Sequence, residues 1–174
     1  NKNPIELITS QGNVAFSKVT FRYKGSDASN TLFNDLNLNI SGGEKIGLVG
    51  PSGGGKTTIT KLLLRFMDIQ AGSIKIDGQN IADAMQSDVR RMVSYVPQEP
   101  LLFHRSIAEN IAYGKLHATQ KEIEYAAKQA HAHEFIVKLE DGYNTLVGER
   151  GVKLSNRKKQ RIAIARALAR SPKI

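Results

Sequence analysis

The sequence predicts an α/β fold with an antiparallel β layer beside its core and a helical segment after it. Three observations point there: a glycine-rich loop set between an apolar run and a helix-period pattern, alternating apolar runs before it, and two capping boxes after it. With 174 residues, 40% of them hydrophobic, the chain is long enough for one domain with a true core. No apolar run approaches a membrane span, and the start Asn1-Lys2-Asn3-Pro4 lacks the charged-then-apolar pattern of a signal peptide. The absence of cysteine excludes disulfides and thiolate metal sites and fits a reducing compartment.

Taken in order, residues 1–13 read as a linker or lead-in, with Pro4, Ser10 and Gly12 and little periodicity. Val14-Ala15-Phe16, Val19-Thr20-Phe21-Arg22-Tyr23 and Leu36-Asn37-Leu38-Asn39-Ile40 alternate as half-buried strands do, with a polar turn region from Lys24 to Asn30. Lys45-Ile46-Gly47-Leu48-Val49 reads as a short buried strand feeding the glycine-rich loop. Beyond that loop Ile59, Leu62, Leu63, Phe66 and Met67 recur at i, i+3, i+4, i+7 and i+8, which predicts an amphipathic helix. Ser73-Ile74-Lys75-Ile76 predicts another strand, entering a turn at Asp77-Gly78. Val93-Ser94-Tyr95-Val96 reads as a buried strand stopped by Pro97. Ser106-x-x-Glu109 and Thr119-x-x-Glu122 have capping-box spacing and place helix starts near 106 and 119. The stretch from about 100 to 170 is thus mostly helical. Pro172 closes the last helix, and Lys173-Ile174 has the character of an opening strand.

Gly50-Pro51-Ser52-Gly53-Gly54-Gly55-Lys56-Thr57 matches the phosphate-binding pattern G-x-x-x-x-G-K-[ST] in its strand–loop–helix setting. Glycines let successive backbone N–H groups curl around an anion, because no Cβ blocks the turn or the approach of phosphate. Lys56 is placed to reach the β- and γ-phosphates and Thr57 to ligate Mg²⁺, while Thr58 follows in the first turn of a helix whose positive end faces the anion. This is a nucleotide-binding motif.

The net charge of +9 is concentrated at one end: Lys153, Arg157, Lys158, Lys159, Arg161, Arg166, Arg170 and Lys173 face no acidic residue from position 153 onward. No aromatic residues interleave with that run and no nucleic-acid motif accompanies it, so nucleic acid is not an expected partner. His131-x-His133 is the one histidine pair worth weighing as a metal site; at i, i+2 on a helix the rings point to different faces.

Together these segments, from about residue 13 to 174, resemble the nucleotide-binding domain of an ATP-binding cassette transporter of the exporter type. The resemblance implies a P-loop NTPase core with an antiparallel β subdomain and a helical subdomain at about 100–160, incomplete at its C-terminal side, with 14–174 as the partial domain. It implies that Tyr23 stacks on the adenine of ATP and that Gln98, in Tyr95-Val96-Pro97-Gln98-Glu99-Pro100, is the Q-loop glutamine that touches Mg²⁺ and the attacking water. Leu101 to Ile111 is similar to the segment that opens the exporters' helical subdomain, and Thr145-Leu146-Val147-Gly148-Glu149-Arg150-Gly151 to their X-loop. The implied partners are a second nucleotide-binding domain, head to tail, and a transmembrane domain met through the Gln98 region and the X-loop. The implied place is the cytoplasmic face of a membrane, a bacterial inner membrane.

Two departures accompany the resemblance. Where the family has Leu-Ser-Gly-Gly-Gln, this chain has Leu154-Ser155-Asn156-Arg157-Lys158, which adds bulk where backbone N–H groups are expected to meet the opposing γ-phosphate. The family's Walker B strand, catalytic glutamate and switch histidine have no counterpart up to Ile174, so no catalytic residue is assigned apart from the assisting Gln98. The chain alone is expected to bind ATP without hydrolysing it, and the intact protein to hydrolyse it for export. Two alternatives stand beside this: another phosphate-loop enzyme such as a kinase or GTPase, and a module that holds ATP structurally.

Overall fold

The computed structural model describes residues 4–25, 30–148 and 152–174. The first three residues of the lead-in, positions 26–29 of the polar turn and Glu149, Arg150 and Gly151 of the X-loop-like segment lie outside the described residues. The chain forms two compact units, Asn1–Val93 with Lys173–Ile174, and Ser94–Pro172.

In the first unit, β1 (Val14–Phe21), β2 (Phe33–Ile40), β3 (Ala71–Ile76) and β4 (Gln79–Asn80) form one antiparallel sheet in the order β2-β1-β3-β4. The two runs expected on either side of Ser17-Lys18 are one strand with a bulge. Lys18 has φ +48°, its N–H donates to Asn37 Oδ1 at 2.9 Å, and the pairing register shifts between Phe16 and Val19. A period-2 strand would turn Val19 and Phe21 to the face opposite Val14 and Phe16; the extra residue resets the phase, and all four side chains are buried. β1 ends at Phe21, so Tyr23 lies beyond the strand.

The Asp77-Gly78 turn forms as expected, with φ of +46° and +80° in the sense that suits a two-residue hairpin. Asp77 also anchors the chain before β1. Its Oδ2 accepts the N–H groups of Ser10, Gln11 and Gly12, and its Oδ1 accepts those of Asn13 N and Nδ2, all at 2.8–3.1 Å. Burial opposes the charge, but the backbone donors of Gly12, Asn13, Ser10 and Gln11 prevail and hold the carboxyl well below the usual carboxylate range. The described residues of the expected lead-in pack against the first unit: Ile5 bridges Ala84 and Leu7 is buried.

α1 (Lys56–Leu63) buries Leu62 completely and packs Ile59 and Leu63 against the same core. It is shorter than the periodicity suggested. Arg65 turns to φ +51°, which leaves Phe66 53% exposed, and Arg90 from α2 (Gln86–Met92) donates to the terminal carbonyls of Leu64 and Arg65 at 3.2 Å. The largest correction concerns Lys45–Val49. It forms no strand, and Ile46, Leu48 and Val49 are 40, 39 and 93% exposed. An apolar run of this kind is stable as a strand when neighbours pair both its edges, and among the described residues no strand runs beside it. Val93–Val96 departs likewise: only Val93 is buried, and Tyr95 is 46% exposed.

The second unit is helical: α3 (Ile107–Ala112), α4 (Gln120–Gln129), α5 (His133–Ile136) and α6 (Asn156–Leu168) surround a core that includes Ile107, Ile111, Ile136 and Ile162. Both capping boxes form in full, Ser106 with Glu109 and Thr119 with Glu122. α6 ends at Leu168, before Pro172. Asn110 is fully buried in α3 and ties the unit together. Its amide donates to the carbonyls of Phe103 and Ser106 at 3.0 Å, and its Oδ1 accepts from Phe103 N at 2.9 Å and from Arg166 Nη2 at 2.7 Å. Arg166 of α6 also donates to Asn110 O and Leu101 O and lies 5.0 Å from the centre of the Phe103 ring, so charge, hydrogen bonds and ring fix residues 101–105 against two helices.

Two outcomes follow from the first unit. The folded Asp77 carboxyl takes up its proton less readily than the unfolded one, so its stabilisation is full above the ordinary carboxylate range, begins to decline within that range and goes on falling below it toward the lowered folded value. Asp77→Asn lowers the melting temperature at pH 7, and the gap from wild type narrows between about pH 5 and 3; a gap constant with pH in circular-dichroism melts contradicts the cage. The second concerns Gly55, whose φ is +85° and where a Cβ would lie 2.5 Å from Phe33 Cζ. Gly55→Ala adds left-handed strain of about 1–2 kcal/mol and an overpacking cost of about 1–3 kcal/mol. Urea unfolding reads the sum, and a loss below about 1 kcal/mol contradicts this packing.

Candidate nucleotide-binding site

The glycine-rich loop lies in the first unit between the exposed Lys45–Val49 segment and α1. Residues 50–54 are exposed, Gly55 is buried at the helix N-cap with a left-handed backbone, and the Phe33 ring fills the space beneath it. Within the loop Gly54 N donates to Pro51 O at 3.2 Å. Lys56 Nζ donates to Gly50 O and Pro51 O, each at 2.8 Å, which folds the ammonium back across the loop. No carboxylate pairs with it among the described residues. The loop thus holds one cation on neutral carbonyl dipoles at the positive end of an eight-residue helix, an arrangement in which an arriving anion loses no competition to a fixed acid.

Thr57 and Thr58 face different ways. Thr57 is exposed, and its hydroxyl makes no hydrogen bond among the described residues, whereas Thr58 is 4% exposed and its Oγ1 lies 2.6 Å from the hydroxyl of Tyr23. That bond carries Tyr23 from beyond the end of β1 to the first turn of α1. The Tyr23 ring meets the Phe21 ring edge-on, with centroids 5.1 Å apart and planes at 78°, and stays 43% exposed. Of the sequence-predicted residues, Gly50 to Gly55 form the loop that leads into α1, Lys56, Thr57 and Thr58 form its first turn, and Tyr23 is bonded to that turn through Thr58.

Gln98 belongs to the second unit, where it is exposed in a bend. Leu154 is buried in that unit's core, and Ser155 caps α6, its Oγ accepting from Lys158 N at 3.4 Å. α6 begins at Asn156 without either family glycine, since Asn, Arg and Lys cost a helix less than Gly does. Arg157 is exposed, while the Lys158 ammonium turns to within 5.3 Å of the Phe135 ring centre. In the described part of the X-loop-like segment, Thr145 and Val147 are buried and Leu146 is 61% exposed. His133 Nδ1 bonds the Tyr143 hydroxyl at 2.9 Å, and His131 faces Glu134, so the two rings have separate partners. Burial, joined by Glu124 and Glu134, pushes the Tyr143 phenol up to about 12.

Sequence reasoning missed three contributors: Phe33 beneath Gly55, the Thr58 hydroxyl on Tyr23, and the Asn110–Arg166 pair. Of these only Asn110 left a signal, a polar residue between the apolar helix positions Ile107 and Ile111.

Residues 33–174 match the family model described as ABC transporter. The chain is 51% identical over 166 residues to ABC transporter B family member 3 of Dictyostelium discoideum, covering 95% of this chain and 12% of that protein. It is 50% identical over 164 residues to the leukotoxin translocation ATP-binding protein LktB of Mannheimia glucosida, covering 94% of this chain and 23% of that protein. A solved bacterial Atm1-family ABC exporter with ATP bound superposes with a TM-score of 0.91 at 43% identity, over 99% of this chain and 30% of that one. No helix among the described residues is long and apolar enough to cross a membrane. The chain belongs to the ABC transporter family, and its homologues are the nucleotide-binding domains of ABC exporters.

Proposed function

We propose that this chain is the ATP-binding part of an exporter, in which ATP bound with Mg²⁺ at the glycine-rich loop drives transport through a membrane partner. The observation that carries this reading is that the glycine-rich loop, with Lys56 folded across it, runs into α1, and that Tyr23 is bonded to the first turn of the same helix. Lys56 exchanges its two carbonyl partners for the β- and γ-phosphates, and the loop N–H groups surround them. Tyr23 offers an exposed ring face to the base, which holds any purine by stacking without reading its edges. Thr57 offers a free hydroxyl that suits Mg²⁺, which takes further ligands from phosphates and water; the family resemblance, not the geometry, adds the Gln98 amide. When bound, Mg²⁺ neutralises the phosphate charge that transfer would develop.

The partners follow from the same reading. The Gln98 region and residues 145–148 meet the transmembrane domain, and the start of α6 faces the nucleotide of a second nucleotide-binding domain placed head to tail. The chain spans 12 and 23% of the two relatives described, so the export cycle belongs to a longer protein. Those relatives come from an amoeba and a bacterium, which supports a membrane-bound exporter rather than one particular membrane. A second reading, ATP held without turnover, draws on Asn156 and Arg157. At the start of α6 their side chains occupy the ground where glycine N–H groups would approach a phosphate.

Lys56→Ala weakens MgATP binding about tenfold or more in isothermal titration, since it removes the one cation on the loop; equal affinity in folded wild type and mutant contradicts the site. Tyr23→Ala weakens ATP more than inorganic triphosphate, which has no ring to stack. In a chain carrying the family's Walker B and switch-histidine segments, Asn156→Gly, Arg157→Gly and Lys158→Gln together raise steady-state phosphate release and ATP-dependent dimerisation. One oriented donor toward transition-state charge is worth roughly 2.7–4 kcal/mol in other enzymes. Unchanged turnover and dimerisation show instead that the segment is competent as it stands or lies away from the site.

A further inference from the structure

We propose that Thr58 is a positioning residue for base recognition: its hydroxyl holds the Tyr23 ring in the orientation on which a nucleotide's base stacks. This rests on the reading of Tyr23 as the base platform and adds what fixes that platform. Tyr23 lies two residues past the end of β1, so ladder hydrogen bonds do not set its backbone. Its ring is held at two points. One edge meets Phe21, itself 2% exposed, and the hydroxyl lies 2.6 Å from Thr58 Oγ1, leaving 43% of the residue open. Thr58 is suited to the task because it is 4% exposed in the third position of α1 and β-branched, so its own rotamer is restricted. The Tyr23 hydroxyl is the hydrogen-bond partner of this buried oxygen, and without it the oxygen would lose its satisfaction.

The consequence is a direct link between the two halves of ligand recognition. α1 starts at the lysine that meets the phosphates, and two residues later the same helix grips the ring that meets the base. One bond thereby ties the stacking surface to the helix that opens at the phosphate loop, a link that bears on a nucleoside triphosphate and is irrelevant to a bare triphosphate. Preorganisation of this kind lowers the ordering cost of binding.

The test is the ratio of ATP affinity to inorganic triphosphate affinity, both with Mg²⁺, measured by isothermal titration on the full 174-residue chain. Thr58→Val, close in shape but without the hydroxyl, lowers the ratio about three- to tenfold, the weight of one hydrogen bond. Thr58→Ser restores most of it. Tyr23→Phe keeps the ring, lowers the ratio equally, and adds nothing when combined with Thr58→Val. Should Thr58→Val fail to fold, Tyr23→Phe at the exposed end of the pair still decides the matter. A ratio unchanged in Tyr23→Phe and Thr58→Val but lowered in Tyr23→Ala overturns the positioning role while leaving the base platform intact. A ratio unchanged even in Tyr23→Ala overturns the platform, and this proposal with it.

Discussion

The contact between the Phe33 ring and Gly55 is the constraint on which the site depends. A Cβ at position 55 would sit 2.5 Å from that ring, so β2 and the phosphate loop can be this close only with glycine at the helix N-cap. The left-handed backbone there turns the chain into α1, aims the first helical N–H groups outward, and lets Lys56 fold over the loop onto the carbonyls of Gly50 and Pro51. β1 is held beside β2 by five register pairs, so its end, and Tyr23 just past it, are carried to the same helix. The bulge at Lys18 matters here: without it the second half of β1 would present its polar face to the core, and Phe21 could not support the Tyr23 ring.

The second unit is organised by a different device, a buried polar hub. Asn110 and Arg166 together satisfy carbonyls of Leu101, Phe103, Ser106 and Asn110, so the chain following Gln98 is pinned to α3 and α6 without a carboxylate. Burial draws the guanidinium down from its ordinary value, yet arginine remains charged across the physiological range. Such hubs are costly to break, because removal of one member leaves several buried groups unpaired.

The sequence made the local elements legible where the signal was local. The capping boxes at Ser106 and Thr119, the Asp77-Gly78 turn and the Gly50–Thr57 loop are each encoded within a few neighbouring residues, and each forms where expected. The failures came where structure depends on distant partners. Lys45–Val49 has the composition of a buried parallel strand, but composition fixes neither neighbour, and the segment is exposed among the described residues. The lead-in looked featureless because its anchor, Asp77, lies more than sixty residues away. The candidate site residues were named from motif and resemblance; what the motif could not convey was how Phe33, Phe21 and the Thr58 hydroxyl contact them.

The proposed site holds MgATP between the Gly50–Thr57 loop and the Tyr23 ring. Hydrogen–deuterium exchange with and without MgATP tests it most directly, because backbone amides that grip phosphates stop exchanging with solvent. With that site, exchange slows over residues 50–58, with a second protected segment around Tyr23 and little change at the Asn110–Arg166 hub. Binding of MgATP with no protection at residues 50–58 would contradict it.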